Sequence, residues 1–326
     1  MVSFRALSVV LFGAVAAAAN WPAAGKCTGE CYAHDPSIVQ RESDGKYFKF
    51  TTREFLEYAS SDSLEGPWEI VGKILPNGSK LKDYAVNDNI WAPDCSKVGD
   101  KYFCYYAISG FGTQKSAIGL AVSDSMEPGT WTDYGGIGVA SKVGDNYNAI
   151  DPNLIQTKDG NFMTFGSFWA GIFQTTLNDA ATGVNGLAPY NIETNFTGAH
   201  ASEGPFVWQH DKSYYLFWSS GKCCNMDTDK PPAGEEYKMM VCRSDKPQGP
   251  YFDKEGRSCI TGNGGTMVFG SHDNVFAPGG QGVFTDRTRG PVIYYHYLDT
   301  NKGLGDGDSV FGWNVLKVED GWPVLQ

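Results

Sequence analysis

Four acidic residues recur in one local context. Asp35 stands in "HDPSIVQ", Asp94 in "WAPDCSKV", Asp151 in "IDPNLIQ" and Glu203 in "EGPFVWQ". Each lies beside or near a proline and leads into an apolar run. A fifth copy, "FAPGGQGVF", carries Gly279 at the matching place. An Asp-Pro pair alone reads as a turn, but carboxyl groups gathered in one place do chemistry. Crowded like charges raise one another's pKa unless each has its own partner. Such a set supplies one ionised base and one protonated acid to a single site, at a cost in stability that packing does not explain. Between aromatic walls, two carboxyl groups of opposite protonation suit hydrolysis of a glycosidic bond. Glu203 has the longer arm and the apolar surroundings "SEGPFVW", which suit the acid. Asp35 suits the base that activates water. Asp151, between them in chain order, suits orienting the acid and keeping it protonated.

The elements that bring these residues together repeat with them. Each copy is followed by a turn and an aromatic strand: "DGKYFKFTT", "GDKYFCYYAI", "DGNFMTFGSF", "HDKSYYLFWSS" and "RGPVIYYHY". A third strand follows in most copies, and short outer strands are expected at "GPWEIV", "GTWTDY" and "GPYFD". The loop "GKCCNMDTDKPPAGEE" stretches the last interval. Five units of three or four strands, with hardly any helical periodicity, predict an all-β, five-bladed β-propeller over a β-sandwich. The first strand of each blade then lines the axis, and the five matching positions converge at one mouth.

Composition narrows the class. Apolar residues at 41% against 19% charged residues fit a globular chain and not a disordered one. The net charge of −11 argues against nucleic acid or an anionic membrane as partner. Residues 1–19, with Arg5, an apolar stretch and small residues up to Ala19, read as a secretory signal peptide. Residues 20–326 are expected to form one propeller domain, secreted and extracellular. The eight cysteines agree with an oxidising compartment. No zinc-type clustering is present. Cys95 with Cys104 and Cys242 with Cys259 are plausible local pairs, and Cys223–Cys224 could bond to each other or elsewhere. Asn77 and Asn195 lie in glycosylation sequons.

The motifs "HDPSI", "WAPD", "NAIDPNLI", "GSFW" and "SEGPFV", in this order, resemble glycoside hydrolase family 43, and within it the endo-arabinanase group. The resemblance runs through "FGWNVLKVEDGWPVL". It implies a five-bladed propeller that hydrolyses α-1,5-arabinan or arabino-oligosaccharides with inversion, as a monomer and without a cofactor in the chemistry. Asp35 is then the base, Glu203 the acid and Asp151 the pKa modulator. Substrate contacts are implied at Asn148, Ala149 and Ile150, at Ser167, Phe168 and Trp169, and at Gly112. His34 adjoins the base and is expected to orient its carboxylate. Trp91 and Phe111 are candidates for stacking on sugar rings. A histidine of the fifth blade, matched here by His272, is implied to help hold a structural calcium on the axis, largely through waters, although Asp273 follows it where a glycine is expected. Asp94 lies outside the implied catalytic trio.

Other readings stay open. An exo-acting arabinofuranosidase or a β-xylosidase of the same family would close one end of its cleft. A non-catalytic sugar-binding propeller would lack an acid at Asp35 or Glu203. A retaining fructan hydrolase would carry motifs absent here.

Overall fold

The computed structural model describes residues 21–84 and 89–326; the signal-peptide segment lies outside them. Among the described residues twenty strands form five four-stranded sheets, each an antiparallel meander in chain order. Blade one holds β1 (Ser37–Gln40), β2 (Tyr47–Phe50), β3 (Glu57–Ser61) and β4 (Glu69–Lys73). Blade two holds β5 (Ile90–Val98), β6 (Lys101–Ile108), β7 (Ser116–Ser123) and β8 (Thr132–Ser141). Blade three holds β9 (Asn153–Thr157), β10 (Gly160–Phe165), β11 (Ile172–Leu177) and β12 (Tyr190–Glu193). Blade four holds β13 (Ser202–His210), β14 (Ser213–Ser220), β15 (Lys238–Ser244) and β16 (Thr266–Phe269). Blade five holds β17 (Val275–Asp286), β18 (Gly290–Asp299), β19 (Ser309–Glu319) and β20 (Trp322–Leu325). The protein is a five-bladed β-propeller, as the repeat predicts. One expected strand moves. "GPYFD" is not the outer strand of blade four, because Phe252 makes only isolated bridges to Arg243 and Ser258, and β16 takes that edge.

The aromatic second strands explain the packing. β2, β6 and β14 are buried almost throughout and fill the spaces between neighbouring blades. The inner strands are also pinned across the blade junctions. Ser37 Oγ accepts the Cys95 N–H at 3.0 Å, Asp94 Oδ2 the Leu154 N–H at 2.7 Å, and Asn153 Oδ1 the Val207 N–H at 2.8 Å. At the fourth junction Ser219 Oγ accepts the Gly280 N–H at 2.9 Å. Asp94 is therefore a junction pin, buried enough that its carboxyl is pushed up to about 7.

Blades one and five exchange no strand. Residues 23–33 close the ring by lying along β19. Gly25 N–H donates to Trp313 O, Ala33 N–H to Ser309 O, and Phe311 N–H to Cys31 O. The Cys27–Cys31 disulfide staples this segment. Buried Lys49 donates to the carbonyls of Glu30 and Tyr32 at 2.7 and 2.9 Å, with its Nζ over the rings of Trp68 and Phe311. Disulfides also join Cys95 to Cys104, Cys223 to Cys224 and Cys242 to Cys259.

Candidate active site

The local sequence x-Pro builds the site. Asp35, Ala92, Asp151, Gly204 and Ala277 each precede a proline at the start of an inner strand. All five are left-handed, with φ of 43°, 46°, 56°, 58° and 52°. For the four that carry a side chain this conformation is strained, by about 1–3 kcal/mol each. The strain is held because four of the five amides have a side-chain acceptor. Asp35 N–H donates to His296 Nδ1 (3.0 Å), Ala92 N–H to Thr52 Oγ1 (2.7 Å), Gly204 N–H to Asp151 Oδ2 (3.0 Å) and Ala277 N–H to Ser271 Oγ (3.1 Å).

This proline register corrects the sequence alignment of the acids. Asp35 and Asp151 are equivalent, but Glu203 lies one residue earlier in its blade and Asp94 two residues later. The convergence therefore involves three carboxyls. A cavity of about 40 Å³, lined by residues that include Asp35, Asp151, Gly204, Gly280 and Tyr294, leaves room for water beside two of them.

The carboxyls are dressed differently. Asp35 Oδ2 accepts the Thr52 hydroxyl at 3.1 Å, with His34 Nε2 at 3.5 Å. Among the described residues its Oδ1 has no hydrogen-bond donor, and it stands 3.6 Å from His296 Nδ1. The Glu203 oxygens are both held: Oε2 accepts the Ser167 hydroxyl at 2.6 Å and Oε1 the Tyr237 hydroxyl at 2.8 Å. Burial is the main cause that pushes the Glu203 carboxyl up; its two hydroxyl donors oppose this, and the Asp35 charge adds to it. Asp151 is pushed well up, first by burial and then by the charges of Glu203 and Asp35. Asp35 thus presents an oxygen with no donor among the described residues, while Glu203 sits where burial and the Asp35 charge favour protonation.

The other expected contacts sort by exposure. Phe111 is 78% and Trp169 40% exposed, each on a loop that follows the second strand of its blade, as does the segment carrying Asp35's partner Thr52. Trp91 is half-buried. Gly112 has open space around it, so its φ of +73° and not a close neighbour calls for glycine. Ser167 holds the acid. Phe168 donates its N–H to Ser202 O and, with Trp169, makes a left-handed turn at φ of 54° and 49°. Asn148, Ala149 and Ile150 are buried; Asn148 Oδ1 accepts the Ser116 hydroxyl at 2.6 Å.

His272 is a correction. Its ring nitrogens engage the carbonyls of Gly270 (2.8 Å) and Pro22 (3.1 Å), and it packs on Trp21 and Phe269. In the neutral ring one nitrogen donates to its carbonyl and the other only faces a carbonyl oxygen, so backbone oxygens flank both edges of the imidazole. The fifth-blade histidine at the axis is His296, stacked on His34 with centroids 4.6 Å apart. Among the described residues, His34, Asp35 and His296 form a group close enough to share a metal. As direct ligands they do not fit calcium, which takes six to eight oxygens: the set has two imidazoles, and His296 Nδ1 already accepts the Asp35 amide.

Sequence reasoning missed His296, Tyr237 and Thr52. Only the repeat offered a signal, since Thr52 and His296 end or lie in aromatic second strands.

Comparison with known proteins identifies the family. The sequence profile of Glycosyl hydrolases family 43 matches residues 28–323. A probable arabinan endo-1,5-alpha-L-arabinosidase A of Aspergillus clavatus is 52% identical over 301 residues, covering 92% of this chain and 93% of that one. Among solved structures, a GH43 endo-arabinanase from Bacillus licheniformis superposes with a TM-score of 0.80 at 34% identity, covering 92% and 99% of the two chains. An exo-1,5-alpha-L-arabinanase from a bovine ruminal metagenomic library gives 0.81 at 31%, covering 90% and 97%. The chain belongs to glycosyl hydrolase family 43 and is a glycoside hydrolase.

Proposed function

We propose that this protein is an endo-acting arabinanase that cleaves internal α-1,5-L-arabinofuranosidic bonds of arabinan, such as pectin side chains, with inversion. The observation that carries the reading is the contrast between Asp35 and Glu203. Glu203, half-buried and beside Asp151, donates its proton to the leaving oxygen. Asp35, with Oδ1 open, takes a proton from the water that attacks the opposite face of the sugar. Inversion needs about 6.5–9.5 Å between the two carboxyls to seat that water. As the bond breaks, Glu203 becomes anionic and the Ser167 and Tyr237 hydroxyls stabilise it. Burial and the Asp35 charge keep Glu203 protonated beforehand, and Asp151 holds the Gly204 amide next to it. Phe111 and Trp169 offer apolar faces to arabinose rings.

The relatives named as endo enzymes support internal cleavage, and the exo-arabinanase likeness supports terminal cleavage as the second reading. Four disulfides support secretion into an oxidising compartment. The test is the product profile on linear α-1,5-arabinan with proton NMR of the first-formed anomer. Mixed oligosaccharides, a rapid viscosity drop and a β-configured first product are expected, all lost in Glu203→Gln and Asp35→Asn. Arabinose alone from the start favours the exo reading. An α-configured first product overturns inversion.

A further inference from the structure

Blade five brings no acid to the axis, yet it decides how two of them are held. Its inner strand carries Gly279 and Gly280 where the fold converges. A Cβ on Gly279 would lie 2.4 Å from the Tyr237 ring. A Cβ on Gly280 would lie 2.6 Å from His296 Nδ1 and 2.8 Å from Asp35 Oδ1. The two bare positions therefore admit two rings from other strands. Tyr237 passes over Gly279 to reach Glu203. His296, paired with Gly279 in the β17–β18 register, leans over Gly280 to reach Asp35. The rings of Tyr237 and His296 lie 5.9 Å apart, so the holders of acid and base touch the same gap.

We propose that His296 is the positioning residue of the base: its unprotonated Nδ1 captures the Asp35 amide and fixes the left-handed conformation that aims the carboxylate at the substrate. This rests on Asp35 acting as the base. The amide proton requires a lone pair on Nδ1, so the ring is neutral with its hydrogen on Nε2. Burial favours the same state, pushing His296 down to about 3. A neutral ring holds Asp35 without placing a cation beside it, which would weaken it as a base. The same capture is repeated around the axis by Thr52, Asp151 and Ser271 on Ala92, Gly204 and Ala277. Only at Asp35 does it govern the backbone of a residue with an open carboxylate oxygen. His296 touches no substrate in this account and acts through Asp35.

The test compares three variants on linear α-1,5-arabinan, beside Asp35→Asn. In His296→Asn the amide oxygen falls near the place of Nδ1 and restores the acceptor. In His296→Gln the polar end falls near Nε2 and does not. His296→Leu removes both. Misplacing a reacting group by about 1 Å costs on the order of 10²-fold in rate. The Gln and Leu variants should lose about that much kcat with KM little changed, and Asn should recover most of it. If Leu does not fold, the Asn and Gln pair carries the same comparison. Equal loss in Asn and Gln with the fold intact, or near wild-type kcat in Gln, overturns the proposal. A fully active Asp35→Asn variant instead removes the assignment of Asp35 as base, a failure distinguishable from the others.

Discussion

Removing the Tyr237 hydroxyl should shift the pH range in which the acid works. Glu203 Oε1 accepts that hydroxyl at 2.8 Å. A hydrogen bond to an ionised carboxylate contributes about 1.5–3 kcal/mol, and one to the neutral acid about 0.5–1.5. The difference, roughly 1–1.5 kcal/mol, favours the ionised form, and one pH unit corresponds to about 1.36 kcal/mol. Tyr237→Phe removes a donor that opposes the upward push of burial. A general acid loses activity as pH rises through its pKa, so the alkaline limb of kcat/KM should move up by about one pH unit. The same donor also stabilises the carboxylate as it forms in the transition state, so kcat at the optimum should fall roughly tenfold. The assay is reducing-sugar release from linear α-1,5-arabinan across the pH range, with Tyr106→Phe as control. Tyr106 is equally buried, but its hydroxyl serves Ser79 and Asp133 in blade two. A limb that stays in place or moves down, with the fold intact, would refute the reasoning that Tyr237 acts through the Glu203 charge.

Two further outcomes are expected. Phe111→Ala and Trp169→Ala should each raise KM roughly 2- to 10-fold with kcat little changed, the range given by an aromatic contact of about 0.5–1.5 kcal/mol; unchanged KM in both would place the sugar elsewhere. Lys49 is lowered from 10.5 to about 7, chiefly by burial. Between these values the unfolded chain binds more protons than the native one, so this group makes stability rise with pH from about 7 to about 10.5. Urea unfolding should show that slope, and Lys49→Met should flatten it; a slope of the same size in the variant would assign it to another group.

Much of the architecture was legible because the repeat couples a proline-marked strand start to an aromatic second strand. Asp35, Asp151 and Glu203 stood out for the same reason. The register did not, since Gly204 holds the left-handed place in blade four and shifts Glu203 one residue earlier. Nothing in "YYHYLD" marks His296 as an axial residue. It reaches the axis only because Gly279 and Gly280 leave space on the neighbouring strand, a property of two missing side chains. His272 is matched to an axial histidine by the family resemblance, in the motif "GSHDNVF" at the head of blade five. Its carbonyl partners on Gly270 and Pro22 come from chain folding that periodicity does not encode. Tyr237 ends a long loop whose return point the sequence does not fix.

The unswapped closure of the ring has a consequence for how the protein is made. Asp35 and His296 are 261 residues apart, and the segment that carries Asp35 docks on β19. At about 5–20 residues per second, that partner leaves the ribosome roughly 13–52 seconds after Asp35 does. During this interval the flank of blade one that holds Ile38, Tyr47 and Trp68 lacks Val292, Phe311 and Trp313, its cover in the finished ring. Each early blade is a complete meander in chain order, but this apolar side of blade one is covered only near the end of translation. The hydrolytic centre is therefore assembled by the last blade to appear, because Asp35 meets His296 only when blade five is made.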